Sequence, residues 1–162
     1  MILNGPYLLE AAPIKGMLSS KEREHGVSYG LGEAGYDIRL KQTVEFRQSH
    51  TGPYVYVDGV ATPGRFTIAS AIEEFNMPDY LVGIVHDKST WARRGLSVFN
   101  TVIEPGFRGG LTLELVYHGI DNLVVPAGAG IAQVIFHHIV EPASYDGKYQ
   151  GQSSDPVGAI FD

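Results

Sequence analysis

The chain has no cysteine. Disulfides, thiol nucleophiles and Cys-held zinc sites are therefore excluded. So are the zinc-dependent base deaminases, whose metal sits on Cys and His ligands. There is no run of about 18 apolar residues of the kind a membrane span needs. Residues 1–16 lack the basic start and long apolar centre of a signal peptide, so the expected location is the cytoplasm. Basic residues are scarce: 12 Lys and Arg stand against 18 Asp and Glu, a net charge of −6. Long nucleic acids are poor partners for such a chain, because their binding relies on basic patches. A small phosphorylated ligand stays open, since it needs only a few local cations and backbone donors.

What is present describes one globular domain over residues 1–162, with 44% apolar and 19% charged residues. Twenty glycines and nine prolines, with many Val, Ile, Thr and Tyr, predict short strands joined by turns. Residues 1–20 leave room for one short helix, and the polar, Gly-rich stretch 21–33 reads as a loop. From Tyr36 to Phe46 the chain alternates, with Ile38, Leu40, Val44 and Phe46 on one face; this predicts a half-buried strand. Further strands are expected at 54–57, 66–68, 81–86, 96–103, 111–117, 123–125 and 131–140. A single helical turn is expected over 89–94, capped by Asp87 or Ser89. The tail from about residue 144 is polar and reads as mobile. No repeat or second domain is visible. The pattern is all-β, a sandwich or barrel with one or two short helices.

Chemistry concentrates between Asp87 and Leu115. Lys88, Ser89 and Thr90 precede a predicted helical turn, where free N–H groups attract anions. The plainer reading of the same spacing is a capped, solvated basic turn. Glu104-Pro105-Gly106 builds a tight turn between strands, and as a default Glu104 is an exposed turn carboxylate. In the next strand Leu111, Leu113 and Leu115 share one face, and Thr112, Glu114 and Val116 share the other. A buried Glu114 would suit a general base; an exposed one would be ordinary. The pattern leaves both open. His137 and His138 are strand neighbours, face opposite sides and cannot share a metal. For His86 and His118 structural or surface roles are expected, and for Trp91 either a core or a subunit-contact role.

These strings resemble dCTP deaminases. Ser89-Thr90-Trp91-Ala92-Arg93-Arg94-Gly95-Leu96 is similar to the pattern S-S-x-A-R-x-G-L. Ile103 to Gly109 resembles I-D-P-G-[FW]-x-G, and Thr112-Leu113-Glu114-Leu115 resembles T-L-E-[LF]. Asp37-Ile38-Arg39-Leu40 resembles D-x-R-L. Gly130-Ile131-Ala132-Gln133 resembles a strand shared with dUTPases, and Lys148-Tyr149-Gln150-Gly151-Gln152 resembles the K-Y-Q-G-Q tail. The resemblance implies a distorted jelly roll of the dUTPase-like type, assembled as a homotrimer with sites between subunits. It implies deamination of dCTP to dUTP without a metal at the reacting carbon. Glu114 would move the proton of the attacking water, Ser89 would position that water, and Arg93 would balance charge around Glu114. Lys88, Thr90, Tyr145, Lys148 and Gln152 would grip the triphosphate, with Mg²⁺ carried on the phosphates and no zinc. Thr101, Val102 and Gln133 fall at substrate-binding positions, and Glu104 stands near the deoxyribose. dCTP and dUTP are the expected ligands, and dTTP is a candidate inhibitor.

Three departures bear on the reaction. Glu104 stands where the family has Asp. The stretch from Leu96 to Glu104 is shorter than in typical dCTP deaminases and resembles the uracil-reading hairpin of dUTPases. The tail continues through Pro156-Val157-Gly158 instead of ending in Ser-Arg. Alternatives are therefore a dUTP diphosphatase, a bifunctional enzyme, and a silent nucleotide-binding trimer.

Overall fold

The computed structural model describes residues 1–161; Asp162, the last residue of the expected domain, lies outside them. In chain order the elements are β1 (Ile2–Leu3), α1 (Gly5–Ala11), β2 (Lys21–Glu24), β3 (Val27–Leu31), β4 (Tyr36–Arg39), β5 (Val44–Ser49), β6 (Gly52–Val57), β7 (Val60–Pro63), β8 (Phe66–Asn76), β9 (Leu81–Asp87), α2 (Ser89–Ala92), β10 (Leu96–Val98), β11 (Val102–Ile103), β12 (Arg108–Tyr117), β13 (Leu123–Val125) and β14 (Gly130–His138). The architecture is all-β with two short helices, as the turn-rich composition predicts.

Three antiparallel sheets enclose the core. The largest runs β11-β9-β14-β4-β3-β2, with β1 also on β14; a second runs β10-β12-β8, and a third runs β13-β5-β6-β7. Ile38, Leu40, Val44, Phe46, Leu113, Leu115, Ile131, Val134 and Phe136 are all buried in one cluster. Period-two patterning is legible where buried and more open positions alternate, at Val44–Phe46 in β5 and along the later halves of β12 and β14; β4 is buried on both faces. No helix among the described residues is long and apolar enough to cross a membrane.

Several boundaries differ from expectation, each for a physical reason. Residues 21–33 hold a hairpin, β2–β3, turned through His25 (φ 51°) and Gly26 (φ 75°). Positive φ at both turn positions matches a type I′ turn. All of β2 is exposed, so its residues carry no apolar signal; backbone pairing alone makes it a strand. The strand expected over 36–46 divides, because buried Gln42 leaves the pleat to bond Ser70. The segment 96–103 also divides. Val98 N–H is taken by the Asp87 carboxylate at 2.7 Å, and the chain then crosses from the β12 sheet to pair with β9. The short strand expected at 66–68 runs on to Asn76 along β12. Finally, neither Asp87 nor Ser89 caps α2: Lys88 occupies that position, with no side-chain cap bond.

Candidate active site

A cavity of about 560 Å³ opens beside β12. Its floor is the face of β12 that carries Thr112 and Glu114; Leu113 and Leu115 point the other way into the core. Glu114 is half-buried. The Thr101 hydroxyl lies 3.2 Å from Glu114 Oε2 and donates to it. On the sheet Glu114 lies opposite Ile68 of β8, and on its other side Phe99 N–H donates to the Glu114 carbonyl at 3.0 Å. Both readings of Glu114 therefore meet: it is neither core nor open surface, but a partly enclosed carboxylate facing a ligand-sized space.

The rim comes from the turn and from the tail. Phe107 N–H donates to the Glu104 carbonyl at 3.1 Å. With Pro105 second and Gly106 third at φ 74°, this is a type II turn, which needs glycine there. Glu104 lies exposed on the cavity edge. The tail docks beside it. Tyr145 N–H bonds the Pro105 carbonyl at 2.8 Å, Gly151 N–H bonds Arg108 O at 2.8 Å, and Gly110 N–H bonds Gln152 O at 3.0 Å. Gln152 Nε2 returns a bond to Gly110 O at 2.7 Å, and Val157 N–H bonds the Thr112 hydroxyl at 2.9 Å. A Cβ on Gly110 would lie 2.3 Å from Ser153 O. Gly110→Ala is thus expected to lift the tail at a cost of about 1–3 kcal/mol. Limited proteolysis near Tyr149 should quicken, with the melting temperature lowered by no more than about 2–12 °C and the barrel still folded. Equal proteolysis of both proteins would refute that role for Gly110.

The structure divides the expected site residues into two groups. Thr101, Val102, Glu104, Glu114, Tyr145 and Gln152 line the cavity. Ser89 and Thr90 on α2 and Arg93 at its C-terminal end lie exposed and outside it, and Arg93 shows no bond to Glu114 within the chain. Lys148 is exposed on the tail, with its ammonium 5.8 Å from the Tyr149 ring centroid and bonded to the Ile160 carbonyl. Gln133 is half-buried on β14, opposite His86 and Asp37. Lys88, expected on phosphate, is engaged elsewhere: its ammonium meets Asp37 Oδ2 at 2.5 Å and Ser28 Oγ at 3.0 Å. Trp91 is a core residue, with its indole N–H on Gly130 O at 2.7 Å. His118 bonds Ser97 at 3.2 Å. No Lys, Arg or His lines the cavity among the described residues. A nucleoside finds walls there, but a polyphosphate does not find its cations.

Sequence reasoning did not find Phe66, Ile68, Phe107, Leu111, Tyr149 or the stretch 157–159, all of which line the cavity. Phe66 and Ile68 lie on Glu114's face through strand pairing, which a single sequence does not show. Thr112 was legible through its alternation with Glu114.

Comparison with known proteins bears on the family and the fold. A profile described as dCTP deaminase-like matches residues 57–139. The chain is 37% identical over 154 residues to a dCTP deaminase of Campylobacter concisus (strain 13826), covering 83% of each chain. It is 35% identical over 154 residues to that of Campylobacter jejuni (strain RM1221), again covering 83% of each. Among solved structures, a 2′-deoxycytidine 5′-triphosphate deaminase from Agrobacterium tumefaciens superposes with a TM-score of 0.58 at 18% identity, over 83% of this chain and 47% of that one. The native EIAV dUTPase gives 0.52 at 18% identity, over 85% and 92%. Those two likenesses establish the dUTPase-like fold, and the sequence relatives go further: the chain belongs to the dCTP deaminase family.

Proposed function

We propose that the protein deaminates dCTP to dUTP and ammonia, as a homotrimer in which α2 of one subunit completes the cavity of the next. The observation that carries this is the Glu114 carboxylate, held by Thr101 on the floor of a cavity that no Lys, Arg or His lines among the described residues. Arg93 and Ser89 lie exposed and outside the lining of this cavity, and on this reading they serve a neighbour. In the completed site, water held by Ser89 gives a proton to Glu114 as its oxygen bonds to cytosine C4. Glu114 passes that proton to the ring nitrogen. The remaining hydroxyl proton reaches the exocyclic amine, the C4–N bond breaks, and ammonia leaves. General acid–base help of this kind is worth about 10²–10⁴ in rate; positioning and aimed donors supply the rest.

Thr90, Lys148, Tyr145 and Gln152 are proposed to hold the triphosphate, and Lys88 to fix the start of α2. Among the described residues no group of three or more His, Asp or Glu is placed to hold an ion. Mg²⁺ is therefore proposed to arrive on the phosphates, where it shields their charge, a common arrangement for this ion.

The short crossing from Val98 to Val102 and the likeness to the EIAV dUTPase fold favour a second reading, dUTP hydrolysis alone or in addition. One assay separates the two. The protein is incubated with dCTP or with dUTP and Mg²⁺, and ammonia and pyrophosphate are measured separately. The expected result is ammonia from dCTP and no pyrophosphate from dUTP. Pyrophosphate from dUTP without ammonia from dCTP would replace the proposal by the second reading.

A further inference from the structure

Phe66 and Phe99 are aromatic side chains left half in water, 50% and 49% exposed, and their ring centroids lie 6.2 Å apart at 38°. Both belong to Glu114's side of the sheet. Strand pairing sets Ile68 opposite Glu114 and Phe66 opposite Val116, one pleat further on. Ser97 pairs with Val116 and Val98 with Leu115, so the next residue, Phe99, flanks Glu114 from the other edge. Thr101 Oγ lies 3.3 Å from the Phe99 carbonyl and also bonds Glu114. The surroundings of the carboxylate are thus asymmetric. One side carries the Thr101 hydroxyl; on the other Ile68 and Phe66 line the cavity, and Phe99, outside its lining, stands against Phe66 at the edge.

A pyrimidine has the same asymmetry. One edge carries its ring nitrogen, carbonyl and exocyclic group, and the C5–C6 edge is apolar. Accepting the deaminase reading, on which this inference rests, C4 must come within one water of Glu114. C5 is bonded directly to C4. With the polar edge toward Thr101, the C5–C6 edge falls against the phenylalanines. We propose that Phe66 and Phe99 form the wall that reads position 5 of the base, so that the substrate class is 2′-deoxycytidine triphosphates bearing hydrogen or a small apolar group there. A methyl group adds apolar contact on such a wall. A hydroxymethyl group placed against the two phenylalanine rings loses water and finds no hydrogen-bonding atom on either ring.

The test compares kcat/KM for ammonia release from dCTP, 5-methyl-dCTP and 5-hydroxymethyl-dCTP, and the dissociation constants of the three nucleotides by calorimetry. The wild-type protein is expected to prefer 5-methyl over 5-hydroxymethyl by about 10- to 100-fold, the range an apolar pocket reaches against an added hydroxyl. Phe66→Ser and Phe99→Ser should bring that ratio toward one, and Phe66→Leu and Phe99→Leu should keep it. Both positions are half-exposed, so melting curves should show all four variants folded. A wild-type ratio near one overturns the proposal. So do Ser variants that lower kcat/KM equally for the three substrates. The binding ratio separates the two claims. No ammonia with the binding preference intact defeats the deaminase reading and keeps the wall; ammonia with no preference defeats the wall and keeps the reading.

Discussion

Glu114→Gln is expected to lower kcat for ammonia release from dCTP by about 10²–10⁴, the usual worth of a general base, while nucleotide binding and the melting temperature stay close to wild type. Gln is nearly isosteric with Glu, and its amide oxygen can still accept the Thr101 hydroxyl now 3.2 Å from Oε2. What it cannot do is take a proton from water. The loss should therefore fall on kcat rather than on KM, as for a group that acts in the transition state. A variant retaining full ammonia release would end the mechanism. The same variant tests the shared site. Arg93→Ala should also be inactive alone, because α2 is proposed to serve the neighbouring subunit. Mixed trimers of the two variants contain some cavities with an intact Glu114 facing an intact Arg93. Unfolding and refolding them together should restore measurable activity, and failure to do so would place both residues in one chain's site.

How much of this was readable from residues alone depended on the distance over which each feature is set. The alternation of Leu113 and Leu115 against Thr112 and Glu114 is local, and the structure follows it there, whereas Leu111, beside the register shift between Gly110 and Thr112, lines the cavity as well. The turn at Glu104-Pro105-Gly106-Phe107 is local too, because proline and a positive-φ glycine specify it. The environment of Glu114 was not readable, because Ile68 and Phe66 come from β8 and Phe99 from the crossing after β10. Strand ends failed where a side chain took over a backbone partner. Gln42 bonds the Ser70 N–H at 2.9 Å, and Asp87 bonds the Val98 N–H at 2.7 Å. Each ends a run that patterning alone would continue. The hairpin at 21–31 failed for the opposite reason: β2 is wholly exposed, so only hydrogen bonds and two left-handed turn residues define it. The separation of α2 from the cavity within one chain is not set by motif order, which puts Ser89 and Arg93 near Glu114 in sequence and not in space.

The pairing of Lys88 with Asp37 spans 51 positions of sequence, and it makes the second large prediction: Lys88→Met is expected to destabilise the protein by about 3–5 kcal/mol, the usual cost of stripping one partner from a buried ion pair. Only 11% of the lysine side chain and 6% of the aspartate side chain reach solvent. Ser28 bonds the ammonium at 3.0 Å, and its hydroxyl lies 3.4 Å from Asp37 Oδ2. Asp37 Oδ1 is buried with no bond at all, so the carboxylate leans on this one cation. For a domain of this size about 1 kcal/mol moves the midpoint by roughly 2–4 °C, so thermal unfolding should fall by about 6–20 °C. Asp37→Asn alone should cost less, because a long lysine stem can swing its charge to water. Asp37→Asn combined with Lys88→Met should recover much of the loss, since no buried charge is then left without a partner. Because Lys88 immediately precedes Ser89, the pair also decides where α2 begins. An anchoring lysine and a phosphate-gripping lysine therefore part company in one variant. The anchor predicts a lower melting point, which added nucleotide restores only in part, whereas the ligand predicts a normal melting point and a raised KM for dCTP.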